Sequence, residues 1–459
     1  MSYLDQILRL EETDKKYIWH PFTQMKDWLD EKPIIITEGR DCFVKDTFGR
    51  WYLDGVSSLW VNIHGHRRRE IDDAIRMQLD KIAHSTLLGL SNIPSIELAE
   101  KLIGLTDASF NGLNLRLSKV FYSDNGSTAV EVALKMAYQY WIHRGGSKRN
   151  SFLALKNGYH GDTIGAMSVG GVDIFHSVFK PLLFKTYQAP SPYCYRCELK
   201  QTYPGCSFAC LREMEHLLQG NAEEIAAVII EPIVQAAGGM IVWPDGYLRG
   251  VRELCIKYNT LLIADEVATG FGRTGNIFAC EHESIVPDIM CLSKGITNGS
   301  MPLAVTLATD EVYGAFLGEF KDMKTFFHGH SYTGNPLACA AAIASLDIFA
   351  KDKTLTTMVQ KSAIIDNKLA EMGQLAHVGN VRQKGLIAAV ELVKDRGTKE
   401  PYPWEDRMGW KVAYKARENG VLIRPLGNVI VIMPPLSIRI GDLNHLLDVI
   451  KQSIIAITG

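Results

Sequence analysis

The chain has 459 residues, 47% of them hydrophobic, and its 49 Lys and Arg against 51 Asp and Glu leave a formal net charge of -2. That length can bury the core of two or three domains, and no basic block runs longer than Arg67-Arg68-Arg69, so nucleic acid and anionic membranes are not indicated as partners and small-molecule chemistry is the default. Nine cysteines, an odd number in a long chain, point away from a secreted disulfide framework and towards reduced thiols in a cytoplasmic protein.

In chain order, the opening MSYLDQILRLEETDKKY mixes acids into its apolar positions and lacks the long apolar region of a secretory signal. Strand-like residues follow near Ile34 to Leu53. Short apolar runs then recur at Lys119 to Ser123, Ser151 to Leu155, Ile225 to Ile230, Leu261 to Ala264, Ile289 to Leu292 and Leu303 to Ala308. They read as buried strands and are far too short to span a bilayer. Between them lie helical patterns, clearest in STAVEVALKMAYQYWI, where Val130, Ala133, Ala137, Tyr140 and Trp141 recur at three- and four-residue steps. That alternation predicts an α/β fold with a largely parallel sheet between helices. The last third reads as helices from Ala338 to Phe349 and Thr354 to Met372, then strand-like GLIAAVELV and NVIVIMPP with helices between and after. We therefore expect a large α/β domain over 61–340 and a small α+β domain over 341–459, with residues 1–60 contributing to the small domain and to the edge of the active site.

The stretch LLIADEVATGFGRTG (261–275) carries the first chemistry. Gly270, Gly272 and Gly275 match G-x-G-x-x-G, but the next strand begins near Asp288, 288 − 275 = 13 residues later, too soon for the crossover helix of a dinucleotide-binding unit. A sharp loop is the better reading. Asp265 ends one apolar run and Lys294 follows the next, 294 − 265 = 29 residues on; ends of neighbouring strands form the ligand crevice of an open α/β sheet. A lysine held against apolar surroundings can lose its proton and become a nucleophile. Pyridoxal 5'-phosphate needs both groups: its aldehyde condenses with a lysine and its ring nitrogen pairs with an acid. The plain alternative is a buried ion pair between Asp265 and Lys294.

Asp124-Asn-Gly126-Ser127-Thr128 follows a strand and opens the best amphipathic helix, so free N–H groups and hydroxyls face an anion such as a phosphate; an ordinary N-cap is the alternative. Tyr159, in Asn157-Gly-Tyr-His-Gly after another strand, can stack on a flat ring or simply pack.

The run ADEVATGFGRTG followed by PDIMCLSKGIT resembles the signature of class III aminotransferases, pyridoxal phosphate enzymes of fold type I. DNGSTAVEVALKMA, KNGYHGDTIGAMSVGG, AAVIIEPIVQAAGGM and HGHSYTGNPLACAAA extend the likeness in order over nearly the whole chain. The resemblance implies a seven-stranded, mostly parallel sheet in the large domain. It implies Lys294 as the cofactor lysine and proton shuttle, Asp265 at the ring nitrogen, Gly126 and Ser127 at the phosphate, and Tyr159 stacked on the ring. Ser331 matches a hydroxyl residue that reaches the phosphate from a neighbouring subunit, which implies a homodimer. Arg424 matches an arginine for the substrate carboxylate, and Gly329 falls beside the substrate.

YIWHPFTQM, SSLWVNIHGH and IRPLGNVIVIMPP resemble the branch of the family that aminates 8-amino-7-oxononanoate in biotin synthesis. There Phe22, Trp60 and Arg424 would contact substrate. Three aromatic positions of members that use S-adenosylmethionine read Phe22, Leu59 and Val431 here, with Trp60 retained; the substitutions are similar to a branch with lysine as amino donor, so both donors stay open. An ω-amino acid:pyruvate aminotransferase is the alternative activity. Cys194, Cys197, Cys206 and Cys210 form two close thiol pairs with the look of a zinc knuckle. Because the gap between the pairs is shorter than in most such sites, they also read as reduced loop cysteines, and no metal is assigned.

Overall fold

The structure, a computed structural model, describes residues 2–459. Its strands in chain order are β1 (Ile36–Arg40), β2 (Phe43–Asp46), β3 (Trp51–Asp54), β4 (Leu117–Ser123), β5 (Ser151–Leu155), β6 (Tyr187–Ala189), β7 (Ile225–Ile230), β8 (Val234–Gln235), β9 (Ile241–Val242), β10 (Leu261–Asp265), β11 (Ile289–Leu292), β12 (Ala304–Thr309), β13 (Val378–Lys384), β14 (Ile387–Leu392), β15 (Val421–Leu422) and β16 (Val429–Ile432).

Seven of these make the main sheet, in the order β4-β12-β11-β10-β7-β5-β6. Every residue of β5, β7, β10, β11 and β12 is buried, because helices cover both faces of the sheet and apolar residues are then favoured at successive positions. All neighbours are parallel except β12, which runs antiparallel to both β11 and β4. The register of β10 and β11 sets Asp265 opposite Cys291. Lys294 therefore emerges three residues past the partner of Asp265, at the same end of the sheet. Between β10 and β11 lies only the short helical turn Ala279–Glu283, so the glycines of 270–275 shape a loop.

The N- and C-terminal parts of the chain share a second sheet, β1-β2-β3-β15, in which β3 and β15 pair in parallel. A third sheet, β13-β14-β16, is antiparallel. Its middle strand Ile-Ala-Ala-Val-Glu-Leu is wholly buried, while β13 reads Val-Gly-Asn-Val-Arg-Gln-Lys and is mostly half-buried, lacking the alternation that marks a strand in sequence. The helix Pro336–Lys351 packs against the helices Arg69–Leu79 and Ile93–Ser109 and against the turn that carries Lys294. One continuous apolar core runs from Leu153 and Val228 of the main sheet to Val390 and Val431 of the third. No helix among the described residues is long and apolar enough to cross a membrane.

Candidate active site

The two acids that end β10 have different tasks. Asp265, almost fully buried, accepts at Oδ2 from the Nδ1 of His160 at 2.7 Å and at Oδ1 from the N–H of Val267 at 3.1 Å. Glu266 turns the other way: its carboxyl takes the Thr269 hydroxyl at 2.6 Å and the N–H groups of Ala279 and Cys280 at 3.0 and 2.8 Å. Burial pushes Glu266 up to about 7. Glu266 clamps the loop, which leaves Asp265 to face the site.

Lys294 is half-buried on left-handed backbone (φ 47°), a conformation that strains any residue but glycine. Its Nζ lies 5.0 Å from the centre of the Trp60 ring. Burial lowers its proton affinity; the charges of Asp265 and Glu231 oppose that shift and Arg273 adds to it. Asp265 takes its hydrogen bonds from His160 and Val267, and no direct ion pair joins it to Lys294 among the described residues. The amine is thus held as a candidate nucleophile and base.

At the start of the helix Gly126–His143, the Asn125 side chain accepts the Thr128 N–H, while the N–H groups of Gly126 and Ser127 lie in the first turn, where the helix supplies no acceptor. A Cβ on Gly126 would stand 2.6 Å from Val267 Cγ1, so glycine is what lets this helix end approach the segment after Asp265. The loop carrying Tyr159 also lies close: at Gly161 (φ +124°) a Cβ would come within 2.0 Å of Ser127 Oγ. The Tyr159 phenol donates to Asp162 at 2.8 Å and its N–H donates to Glu231 at 2.9 Å. The second oxygen of Glu231 accepts from Ala236 N–H at 2.8 Å, and burial pushes this acid up to about 7.

His160 and Glu231 are functional candidates that sequence reasoning passed over. Glu231 follows the wholly buried β7 as Asp265 ends β10, and His160 adjoins Tyr159, so strand-end position was the signal.

The substrate side comes from distant segments. Ser57, Ser58, Leu59 and Trp60 form a turn with φ of 44°, 40°, 63° and 72°; left-handed backbone costs L-residues about 1–2 kcal/mol each, so the surroundings must hold it. Asp54 accepts from the Ser58 N–H and hydroxyl. Phe22, 58% exposed, meets Phe175 edge-on at 5.5 Å, and Phe175 meets Tyr159 at 6.0 Å. Arg424 donates to the carbonyl of Phe22 at 3.3 Å and lies 5.5 Å from the Trp410 ring centre. It makes no ion pair among the described residues. Leu59 is 47% exposed, but Val431 is fully buried in the core, so of the three altered aromatic positions only Phe22 and Leu59 reach open space. Gly329 and Ser331 lie exposed on another loop, and no hydrogen bond among the described residues links Ser331 to Gly126 or Ser127. Its neighbour His330 lies 4.0 Å from Asp124.

All nine cysteines are free, with Cys194 exposed and Cys197, Cys206 and Cys210 half-buried. No group of three or more His, Cys, Asp or Glu among the described residues is arranged to hold a metal ion.

The family described as aminotransferase class-III matches residues 25–454. This chain is a class-III aminotransferase. It is 55% identical over 451 residues to the adenosylmethionine-8-amino-7-oxononanoate aminotransferase of Geobacter sulfurreducens, covering 98% of each chain. The Staphylococcus aureus protein of the same name is 47% identical, covering 99% of this chain and 98% of its own. The crystal structure of the Methanocaldococcus jannaschii protein of that name superimposes with a TM-score of 0.92 at 48% identity, over 98% of this chain and 99% of that one. An amine transaminase from an uncultivated Pseudomonas species, described in its PLP-bound form, gives 0.91 at 37% identity over 96% of this chain and 99% of its own. The residues of this aminotransferase fit pyridoxal phosphate: for the phosphate, a helix start whose Gly126 and Ser127 N–H groups have no intrahelical acceptor; for the ring nitrogen, an acid pinned by His160; and for the aldehyde, an amine without a competing partner.

Proposed function

We propose that this aminotransferase transfers an amino group to 8-amino-7-oxononanoate, forming 7,8-diaminononanoate in biotin synthesis, with S-adenosylmethionine or L-lysine as donor. The observation that carries this reading is Arg424, a half-buried guanidinium with no acidic partner among the described residues, set beside Phe22 on the Tyr159 side of the site. A forked cation so placed suits a mono-carboxylate substrate, and the relatives named for this activity support it.

Pyridoxal phosphate supplies, when bound, an aldehyde that takes up the amino group and a ring that accepts electrons. Gly126 and Ser127 would hold its phosphate and Asp265 its ring nitrogen, with His160 keeping the acid in one orientation. Tyr159, tied by its phenol to Asp162, presents a ring face for stacking. Lys294 takes a proton from the carbon that bears the amino group and returns it in the second half of the cycle. Because the donor leaves as a keto compound before the acceptor enters the same site, ping-pong kinetics follow.

The exposed apolar side chains Leu88, Leu90, Ile93, Phe327 and Tyr332 support a two-fold dimer in which Ser331 serves the partner's phosphate site. Free thiols throughout support a cytoplasmic setting. The deciding experiment offers the purified enzyme 8-amino-7-oxononanoate with S-adenosylmethionine, lysine or alanine. Formation of 7,8-diaminononanoate with either of the first two is expected; turnover only between ω-amino acids and pyruvate would replace this reading by the one that the amine transaminase likeness suggests.

A further inference from the structure

The N-terminal segment that carries Phe22 is folded around one carboxylate. Asp14, near the end of the helix Tyr3–Tyr17, holds two side chains that stand on either side of Phe22 in the chain. His20 Nε2 lies 3.1 Å from both of its oxygens, and Trp28 Nε1 donates to Oδ2 at 2.9 Å. A carboxylate only accepts, so the proton in the first contact sits on His20 Nε2. The His20 and Trp28 rings meet at 4.3 Å, and the Asp14 side chain is 15% exposed. Both bonds are thus made to a charged group largely withdrawn from water, where such bonds are strong. Lys15 adds a tie from the same helix to the carbonyl of Leu29 at 2.6 Å.

The bend inside this loop needs such a frame. Phe22 stands at φ 50°, and a left-handed residue other than glycine persists only where its surroundings over-determine it. Within the bend the Thr23 hydroxyl donates to the carbonyl of Pro21 at 2.9 Å, but Tyr17, Ile18 and Trp19 on its approach are exposed, so their own packing does little to hold it. The frame is also moored from outside. Asp27 accepts from Arg407 at 2.8 Å and Glu31 from the Tyr414 phenol at 2.6 Å. Those partners start and lie on the helix Met408–Glu418, whose Trp410 lies against Arg424. One helix therefore supports both the loop that presents the Phe22 carbonyl and the arginine that donates to it.

We propose that Asp14 is a positioning residue for the substrate side of the site: by gripping His20 and Trp28 it closes the loop 20–28 and sets the Phe22 ring against Phe175 and the Phe22 carbonyl on Arg424. The choice of substrate rests on the functional reading above; the geometry does not. The test compares Asp14→Ala, Asp14→Asn and Trp28→Phe with the wild type as holoenzymes, by hydrogen–deuterium exchange of peptides covering 17–24 and 261–265 and by KM and kcat for 8-amino-7-oxononanoate. Asp14→Ala takes a charged acceptor from two donors, which should speed exchange in 17–24 about tenfold or more and raise KM by a similar factor. Exchange in 261–265 should hold steady, and kcat should fall less than KM rises. Asp14→Asn, which keeps one acceptor oxygen, should recover part of both effects. Trp28→Phe, which keeps a ring but loses the N–H, should show them more weakly. Unchanged exchange in 17–24, exchange rising equally in both peptides, or an unaltered KM beside faster exchange would each overturn the proposal. If Asp14→Ala does not fold, Trp28→Phe decides by the same readouts. A wild-type enzyme inactive on 8-amino-7-oxononanoate would sink the substrate assignment alone; exchange, with KM for the acceptor that the enzyme does use, would still decide the role of Asp14.

Discussion

The floor and the wall of this site are built on different principles. Asp265, Glu231 and Lys294 leave the ends of β10, β7 and β11, and Gly126 opens the helix after β4, so four functional positions belong to one sheet whose register places them together. Phe22 and Trp60 come from separate N-terminal segments, Arg424 from more than 360 residues beyond Trp60, and two of the three, Phe22 and Trp60, stand on positive-φ backbone. A rigid sheet can hold the chemistry within fractions of an ångström, whereas a loop-built wall can vary its substrate while the chemistry stays.

The sharpest test of that division is Lys294→Ala. Loss of the group that moves the proton should lower turnover on the order of 10⁴-fold, while pyridoxal phosphate is retained through the Gly126, Ser127 and Asp265 contacts; wild-type turnover by this variant would refute the floor assignment. On the wall, Arg424→Lys replaces a fork by a point charge. It should lower kcat/KM for the carboxylate acceptor about ten- to a hundredfold, mainly through KM, and leave the first half-reaction with the donor intact in a stopped-flow trace. An equal loss in both half-reactions would place Arg424 outside acceptor binding.

The smallest effect lies at the seam of floor and wall. His64 follows the left-handed turn, its Nε2 meets the carbonyl of Ser345 at 2.9 Å, and its own N–H and that of Ile63 both reach Asn298 Oδ1 at 2.7 Å. Burial lowers His64 from 6.5 to about 3. The unfolded chain therefore takes up a proton below about 6.5 that the folded chain refuses, so this contribution to stability is full above 6.5 and declines as the pH falls towards 3. The decline amounts to at most ~1.4 kcal/mol per pH unit. His64→Gln should flatten the fall of Tm between pH 6.5 and 4, and parallel curves for variant and wild type would show that His64 does not set it.

Legibility follows the same line. β5, β7, β10 and β11 could be read from unbroken apolar runs, and Asp265, Lys294 and Gly126 from their places at the ends of such elements, because burial on both faces imposes a local pattern. β13 escaped notice because a half-buried strand at the edge of its sheet tolerates Asn, Arg, Gln and Lys. His160 and Glu231 lay in quoted stretches, but their tasks depend on what faces them across the sheet. Arg273 resembled a loop residue, and nothing near it in sequence announces that its partners are Ser57, Asn62 and Pro434.

What this chain's sequence determined alone is the order of strands and helices and the chemical identity of the floor, since hydrophobic periodicity and strand-end position act over a few residues. Which way Asp265 and Glu266 turn, how Arg424 reaches Phe22, and why Trp60 stands over Lys294 were decided only in the folded molecule. Those contacts join residues far apart in the chain, and their geometry is set by close packing and by the need to satisfy buried polar groups, neither of which leaves a local mark.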